Sequence, residues 1–187
     1  MLEGSDIARK LRTMRIRQID HSTAPAGTRR AHDDHLRIAR ITNMKRTLLR
    51  SLPAFDALMT WYTLRDATIP ILGARLTTIF AHAISAETDC LICSTFFRRI
   101  LIDAGEDPDH LVLDSREQIV VAFARRLGQS PFTVPDETFA PMRELFDEEA
   151  IVTITAFGAI MVATNVVNNA LEIPLDEYLE PYRREER

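Results

Sequence analysis

The hydrophobic positions of this 187-residue chain recur with helical spacing along most of its length. Segment 74–86 is the clearest case, because its apolar residues have the i, i+3, i+4, i+7 and i+8 spacing of a helix with one buried face. They are Leu76, Ile79, Phe80, Ala83 and Ile84. No run of alternating apolar and polar residues is long enough to indicate a β-strand. The pattern therefore predicts an all-α bundle of about seven or eight helices.

The ends of the helices follow from polar caps, prolines and glycines between the apolar stretches. Ser115 and Gln118 have the spacing of a capping box. Segment 20–28 is rich in helix breakers and predicts a linker. Residues 1–28 are therefore interpreted as a basic N-terminal arm with its linker, and residues 29–187 as one helical domain. The predicted helices cover 5–19, 33–49, 54–66, 74–86, 90–104, 115–127, 136–146 and 150–167.

The most apolar stretch, 150–167, is interrupted by threonine, glycine and asparagine residues. These leave it short of the roughly 20 mostly apolar residues of a membrane span. We expect a fully buried helix there and no association with a membrane. The N-terminus has no unbroken apolar segment of the kind that is typical of a secretory signal. The sequence thus predicts a cytoplasmic protein.

The charge of the chain narrows the function classes. Its 23 Lys and Arg residues oppose 27 Asp and Glu residues, whereas domains that bind nucleic acid usually carry a basic excess. We therefore expect no nucleic-acid partner. The charge is uneven, because residues 1–50 contain 12 basic and 5 acidic residues. This asymmetry favours a basic arm that lies on an acidic body, its own or that of a neighbouring chain, over an arm that binds an anionic ligand.

Both cysteines of the chain lie three positions apart, as Cys90 and Cys93, in the sequence CLIC. Thr88 or Asp89 is a candidate cap, which would place both thiols in the first turn of the helix 90–104. Unpaired amide hydrogens and the helix dipole lower the pKa of a thiol there. The spacing also lets the two sulfurs form a reversible disulfide. The pair therefore predicts a redox dithiol, with an inert pair in a packed helix as the alternative.

A metal site is the weaker interpretation, because a structural zinc site needs four ligands and the chain has no second cysteine pair. The sequence HDDH puts His32 and His35 on one helix face, but a solvated polar turn beside the linker accounts for it better. Asn165, Asn168 and Asn169 predict hydrogen bonds at the end of an apolar helix or contact with a neighbouring subunit. We therefore expect no metal and no cofactor.

The helix 74–86, the break after it, the CLIC sequence and the following helix resemble the core of the carboxymuconolactone decarboxylase and AhpD-like alkylhydroperoxidase superfamily. The similarity extends over about 43–171 and includes the ending 145–171. The resemblance implies an AhpD-like helical bundle and a homo-oligomer. In the thiol-active branch it also implies that Cys93 attacks a peroxide, that Cys90 resolves the product as a disulfide, and that an external dithiol reduces the disulfide.

The chain departs from the active members of that superfamily at the residues that move the thiol proton. Phe97 stands where those members have a histidine, and Thr78 stands where they have a glutamate. Between the cysteines, where some members have another histidine, stands Ile92. We hypothesise that His82, together with Glu87, replaces the relay, because His82 lies one turn after Thr78 on the same helix face. A hydrogen-bonded packing histidine is the alternative for His82.

The sequence therefore predicts an AhpD-like thiol-dependent peroxidase or disulfide reductase that uses the dithiol of Cys90 and Cys93. Its partners would be further copies of the same chain, a hydroperoxide or disulfide substrate, and an external dithiol reductant. Two alternatives stay open. One is a lyase that acts on a small carboxylated lactone, as the decarboxylase branch implies. The other is a non-catalytic oligomeric protein with a vestigial dithiol, which the missing glutamate and histidine favour.

Overall fold

The structure, a computed structural model, describes residues 15–184 and has no β-strand in that range. The predicted all-α fold is confirmed. Nine α-helices and one short 3-10 helix occupy the described part of the chain: α1 (Ala26–Leu36), α2 (Asn43–Leu48), α3 (Leu52–Met59), α4 (Trp61–Leu72), α5 (Ala74–Glu87), α6 (Leu91–Asp103), α7 (Ser115–Gly128), α8 (Asp136–Leu145), α9 (Glu148–Ala170) and the 3-10 helix (Glu177–Tyr182).

Two predicted helices each form as two shorter ones. Segment 33–49 contains the end of α1 and all of α2, and the side chain of Thr42 begins α2 by accepting a hydrogen bond from the backbone N–H of Lys45. Segment 54–66 is divided between α3 and α4. Pro70 lies near the end of α4 and does not end the helix. Gly73 ends it, because its φ of 83° lies outside the range of a right-handed helix.

The capping box of α7 lies one residue before the predicted one. Asp114, not Ser115, is the cap, and its carboxylate accepts a hydrogen bond from the backbone N–H of Glu117 at 2.8 Å. The Glu117 carboxylate accepts one in return from the backbone N–H of Asp114 at 3.1 Å. Aspartate caps a helix as well as serine does, so both registers satisfy the same sequence rule.

α5 lies at the centre of the bundle and packs against α4, α6, α7 and α9. Its residues Phe80 and Ile84 have no exposed surface, and the ring of Phe80 stacks on Phe157 of α9 with 5.9 Å between the centroids. Gly158 permits this approach, because a Cβ there would lie 3.3 Å from both Ile84 Cδ1 and Phe80 Cζ. The apolar stripe predicted for 74–86 is thus the face that joins α5 to the rest of the core.

α9 is buried along one face only. Its most apolar part has a mean hydropathy of 2.0, and by length and composition the helix could cross a membrane, but 39% of that part is buried within the chain. The open face carries a stripe of small apolar residues, which we call the α9 stripe: Val152, Ala156, Ala159, Ala163, Val166 and Ala170. The prediction of a fully buried helix is therefore wrong for the isolated chain, because hydropathy does not say what covers a face.

The residues before α1 lie on the helical body. Ile19 donates its backbone N–H to the carbonyl of Arg46 at 3.1 Å, and Arg15 forms an ion pair with Glu172 at 2.5 Å. The predicted helix 5–19 falls mostly outside the described residues, and its described end is not helical.

Candidate functional site

The break between α5 and α6 places the two cysteines. Asp89 has a φ of 49°, which turns the chain, and the backbone N–H of Cys90 donates to the carbonyl of Ser85 at 3.0 Å. Cys90 is itself the cap of α6, and its sulfur accepts a hydrogen bond from the backbone N–H of Cys93 at 3.4 Å. The prediction of Thr88 or Asp89 as the cap is therefore wrong. The extended backbone of Cys90 lets its sulfur take the place of a capping oxygen.

Asn168 of α9 contacts both sulfurs. Its Nδ2 lies 3.2 Å from the sulfur of Cys93 and 3.7 Å from that of Cys90. The neighbouring Asn165 and Asn169 donate to the side chain and the carbonyl of Thr88, at 2.7 and 2.8 Å. The three asparagines thus hold α9 against the break between α5 and α6. The predicted hydrogen bonds of Asn165 and Asn169 exist, whereas the role of Asn168 beside the dithiol was not predicted.

The contact between the two thiols shifts their pKa values in opposite directions. The hydrogen bond from the Cys93 thiol lowers the pKa of Cys90, and the same bond raises the pKa of Cys93 well above its ordinary value. Burial raises the pKa of Cys93 further, while the Asn168 amide lowers the pKa of both thiols. Negative charge therefore collects first on Cys90, with the remaining proton on Cys93.

Only one of the two sulfur-bearing side chains borders open space. Cys90 is 0% exposed and Cys93 is 7% exposed. Cys93 lines a cavity of about 450 Å³, together with residues of α4 and α9 such as Trp61 and Met161. A ligand in this cavity would meet Cys93 and would not reach Cys90.

The positions that depart from the superfamily pattern hold groups that cannot accept the Cys93 proton. Phe97 is buried, and its ring packs against Phe96 with 5.1 Å between the centroids. Ile92 is also buried and lines the cavity. Thr78 turns its hydroxyl back to the carbonyl of Ala74, at 2.9 Å. The apolar rings beside the cavity strengthen the desolvation of the Cys93 thiol.

His82 and Glu87 form no hydrogen bond with the cysteines in the described part of the chain. Burial and the charge of Arg98 lower the pKa of His82 to about 4. Glu87 accepts a hydrogen bond from the Gln129 side chain at 3.0 Å. His82 is therefore neutral at neutral pH, as a residue that accepts a proton must be. Its role as a relay stays a prediction.

The two histidines of the HDDH sequence point to different surroundings. The Nδ1 atom of His32 and the Nε2 atom of His21 lie 2.9 and 2.8 Å from the same carboxylate oxygen of Asp33. His35 is instead buried, and its ring lies 5.5 Å from that of Tyr62. The structure thus pairs His32 with His21, from the segment before α1, and not with His35.

Part of the cavity wall, which we call the polar end, is lined by polar side chains, and sequence reasoning did not find it. The residues come from α2, α4, the 3-10 helix and the segments before α2 and before the 3-10 helix: Arg40, Lys45, Tyr62, Asp176 and Tyr178. They are far apart in the sequence and share no motif. A buried lysine, which is rare without a functional or structural partner, is visible only once burial is known.

Comparison with known proteins adds no relative. No protein-family model matches the chain. No curated protein matches it either. The resemblance to the carboxymuconolactone decarboxylase and AhpD-like superfamily therefore rests on the sequence features described above.

Proposed function

We propose that this protein is a thiol-dependent oxidoreductase, a peroxidase or disulfide reductase, that works through Cys90 and Cys93. One observation carries the proposal: the two thiols share the amide of Asn168, and only Cys93 opens to a cavity. This arrangement gives the pair separate tasks. Cys93 reacts with the substrate. Cys90 lies beside it, is buried from solvent, and forms the disulfide.

Cys90 supplies the base that position 97 lacks. It is the first thiol of the pair to ionise, because the hydrogen bond between the two side chains lowers the pKa of Cys90 and raises that of Cys93. Transfer of the Cys93 proton to Cys90 runs against the order of their pKa values, so the Cys93 thiolate at the cavity wall is a minor form through which the reaction proceeds. A thiolate is the reactive form of cysteine. A relay through His82 and Glu87 is the competing proposal for the same step.

The reaction with an organic hydroperoxide then balances in two steps. The Cys93 sulfur bonds to the terminal peroxide oxygen, the O–O bond breaks, and the alkoxide takes a proton from solvent and leaves as an alcohol. The Cys90 sulfur next bonds to the sulfur of the Cys93 sulfenic acid and releases water. An external dithiol returns two electrons and two protons by thiol–disulfide exchange, and a disulfide substrate would enter through the same exchange.

The experiment is a titration of the reduced protein with cumene hydroperoxide, followed by intact mass. We expect one disulfide per chain, seen as the loss of two hydrogen atoms, and recovery of both thiols with dithiothreitol. Cys93→Ser should abolish the reaction. Cys90→Ser should react more slowly, because serine does not take the Cys93 proton, and should stop at a Cys93 sulfenic acid, which dimedone traps.

Free thiols that persist in excess peroxide would contradict the peroxidase proposal. A disulfide that forms with diamide, a disulfide-forming oxidant, but not with peroxide would leave the disulfide-reductase form as the proposal. Reaction in the Cys93→Ser variant and not in Cys90→Ser would reverse the roles of the two thiols.

A non-catalytic protein with a vestigial dithiol is the second candidate. Burial of both thiols favours it, since Cys93 is 7% exposed and its pKa is raised. The titration above separates the two candidates, because a vestigial pair would not turn over with peroxide and an external dithiol.

We further propose that the chain forms a homo-oligomer in the cytoplasm, without a nucleic-acid or membrane partner. The α9 stripe supports the oligomer, because its members are separated by four, three, four, three and four residues. Heptad spacing of this kind is typical of a helix that packs along a second helix. A second copy of α9 offers the same stripe in return.

A further inference from the structure

The cavity beside Cys93 combines apolar surface with the polar end. Ile92, Phe96 and Met161 contribute apolar surface near Cys93, and Trp61 lies against Met161 with its Nε1 atom 2.8 Å from the sulfur. The polar end carries cations and hydroxyl groups. A volume of about 450 Å³ lies within the range of roughly 300–1,000 Å³ of small-molecule sites. The cavity thus suits a ligand with an apolar body and one polar head.

Lys45 is the most unusual group at the polar end. It is 6% exposed, and its ammonium donates hydrogen bonds to the carbonyl of Arg40 at 2.7 Å and to the hydroxyl of Tyr62 at 2.9 Å. An ammonium group has three donors, so one is left for another acceptor. No carboxylate lies within ion-pair distance of Lys45 among residues 15–184. Buried charges are normally paired, and burial here lowers the pKa of Lys45 to about 8.

Arg40 adds a second cation without a direct counter-charge. Its guanidinium lies over the ring of Tyr178, 4.4 Å from the centroid, and it forms no ion pair with the carboxylates of the described chain. Asp176, the carboxylate at this end, already accepts a hydrogen bond from the backbone N–H of Asn43 at 2.9 Å. It also lies 3.9 Å from Arg46, which opposes its charge.

The remaining cations of the cavity are neutralised locally. Arg65 pairs with Asp66 at 2.6 Å, and Arg99 pairs with Asp103 at 2.9 Å. Asp176 is the one carboxylate that acts on Lys45 and Arg40, and it is shared with Arg46, so these two lining cations give the polar end a net positive charge.

We propose that the cavity binds an amphipathic monocarboxylate, with its carboxylate on Lys45 and Arg40 and its apolar body against Trp61 and Met161. The carboxylate accepts the third hydrogen of Lys45 and supplies the direct ion pair that this buried ammonium does not make with Asp176. The apolar body excludes water from the wall that contains Cys93. This is a statement about binding, and it holds whether or not the dithiol is redox-active.

The experiment uses Trp61, the only tryptophan of the chain, as a fluorescent reporter at the cavity wall. Decanoate and decanol share an apolar chain and differ in the head group. We expect decanoate to change the fluorescence of Trp61 with a dissociation constant about tenfold lower than that of decanol, since charge-assisted hydrogen bonds are the stronger ones.

Two substitutions locate the head group. Arg40→Gln and Lys45→Met should each weaken decanoate binding by about three- to tenfold and leave decanol binding unchanged. Arg37→Gln is the matched control, because Arg37 is exposed and lies outside the cavity. Circular dichroism reports whether each variant folds. If Lys45→Met does not fold, the result for Arg40→Gln alone decides the test.

Three results would overturn the proposal. The first is an equal dissociation constant for decanoate and decanol. The second is decanoate binding that Arg40→Gln does not weaken. The third is the absence of decanoate binding in both the fluorescence titration and isothermal calorimetry.

Discussion

At the scale of single residues, Asn168 and Cys90 determine the charge state of Cys93. Asn168 donates a hydrogen bond to both sulfurs, which lowers the pKa of Cys93. The hydrogen bond with Cys90 raises the pKa of Cys93. The spacing of the cysteines and their place at a helix start were predictable, because both depend on local sequence. The contact with Asn168 was not, because Asn168 is 75 positions from Cys93 and meets it only through the packing of α9.

Asn168→Ala should shift the pH profile of Cys93 alkylation to higher pH. The thiolate form dominates above the pKa of the pair, and loss of a hydrogen bond that favours the charged form raises that pKa. Alkylation by iodoacetamide at neutral pH should slow by about two- to tenfold, which corresponds to one hydrogen bond. Peptide mass spectrometry identifies Cys93 as the alkylated residue.

Two variants are the controls for this profile. Asn165→Ala removes a buried asparagine of the same helix that does not contact the sulfurs, and should leave the profile in place. His82→Ala tests the competing relay. A profile that His82→Ala shifts and Asn168→Ala does not would replace Cys90 with His82 as the base.

At the scale of elements, the helix crossings depend on glycine as much as on the apolar stripes. Gly128 at the end of α7 lies against α5, where an added Cβ would be 2.8 Å from Glu87 Cβ and 3.1 Å from the carbonyl of Ile84. Periodicity predicted both helices and their buried faces. It did not predict how closely they approach, because a glycine at a helix end also fits an ordinary stop signal.

Gly128→Ala should lower the free energy of unfolding by about 1–2 kcal/mol, since overpacking outweighs the gain in helix propensity. Gly27→Ala is the matched control. Gly27 also lies in a helix, but its added Cβ would meet only Leu52 Cδ1, at an ordinary 3.6 Å. This control should keep or raise the stability. Urea unfolding followed by far-UV circular dichroism measures both, and equal stabilities would contradict the close approach.

At the scale of the whole molecule, the α9 stripe is a surface that the single chain leaves open. Its small side chains would let a second helix approach closely. The same helix is long and apolar enough to cross a membrane, and its polar interruptions are the basis of the prediction that it does not.

Ala159→Glu should convert an oligomer into a monomer. Ala159 is exposed in the single chain, so a glutamate there need not disturb folding, but it would bury an unpaired charge between two copies. Val112→Glu is the control, because Val112 is 86% exposed and lies in a loop outside the stripe. Sedimentation velocity measures the mass of each variant. A wild-type chain that is monomeric at micromolar concentration would contradict the proposed oligomer.

The sequence by itself determined that the protein is helical, where most helices lie, and that two thiols stand at the start of one of them. These properties depend on spacing and caps within a few turns of helix. Only the tertiary structure decided which side chains meet the thiols and where positive charge collects in the cavity. Asn168 and Lys45 come from distant segments, and their contacts and burial arise only when α9 and α2 pack around the same space.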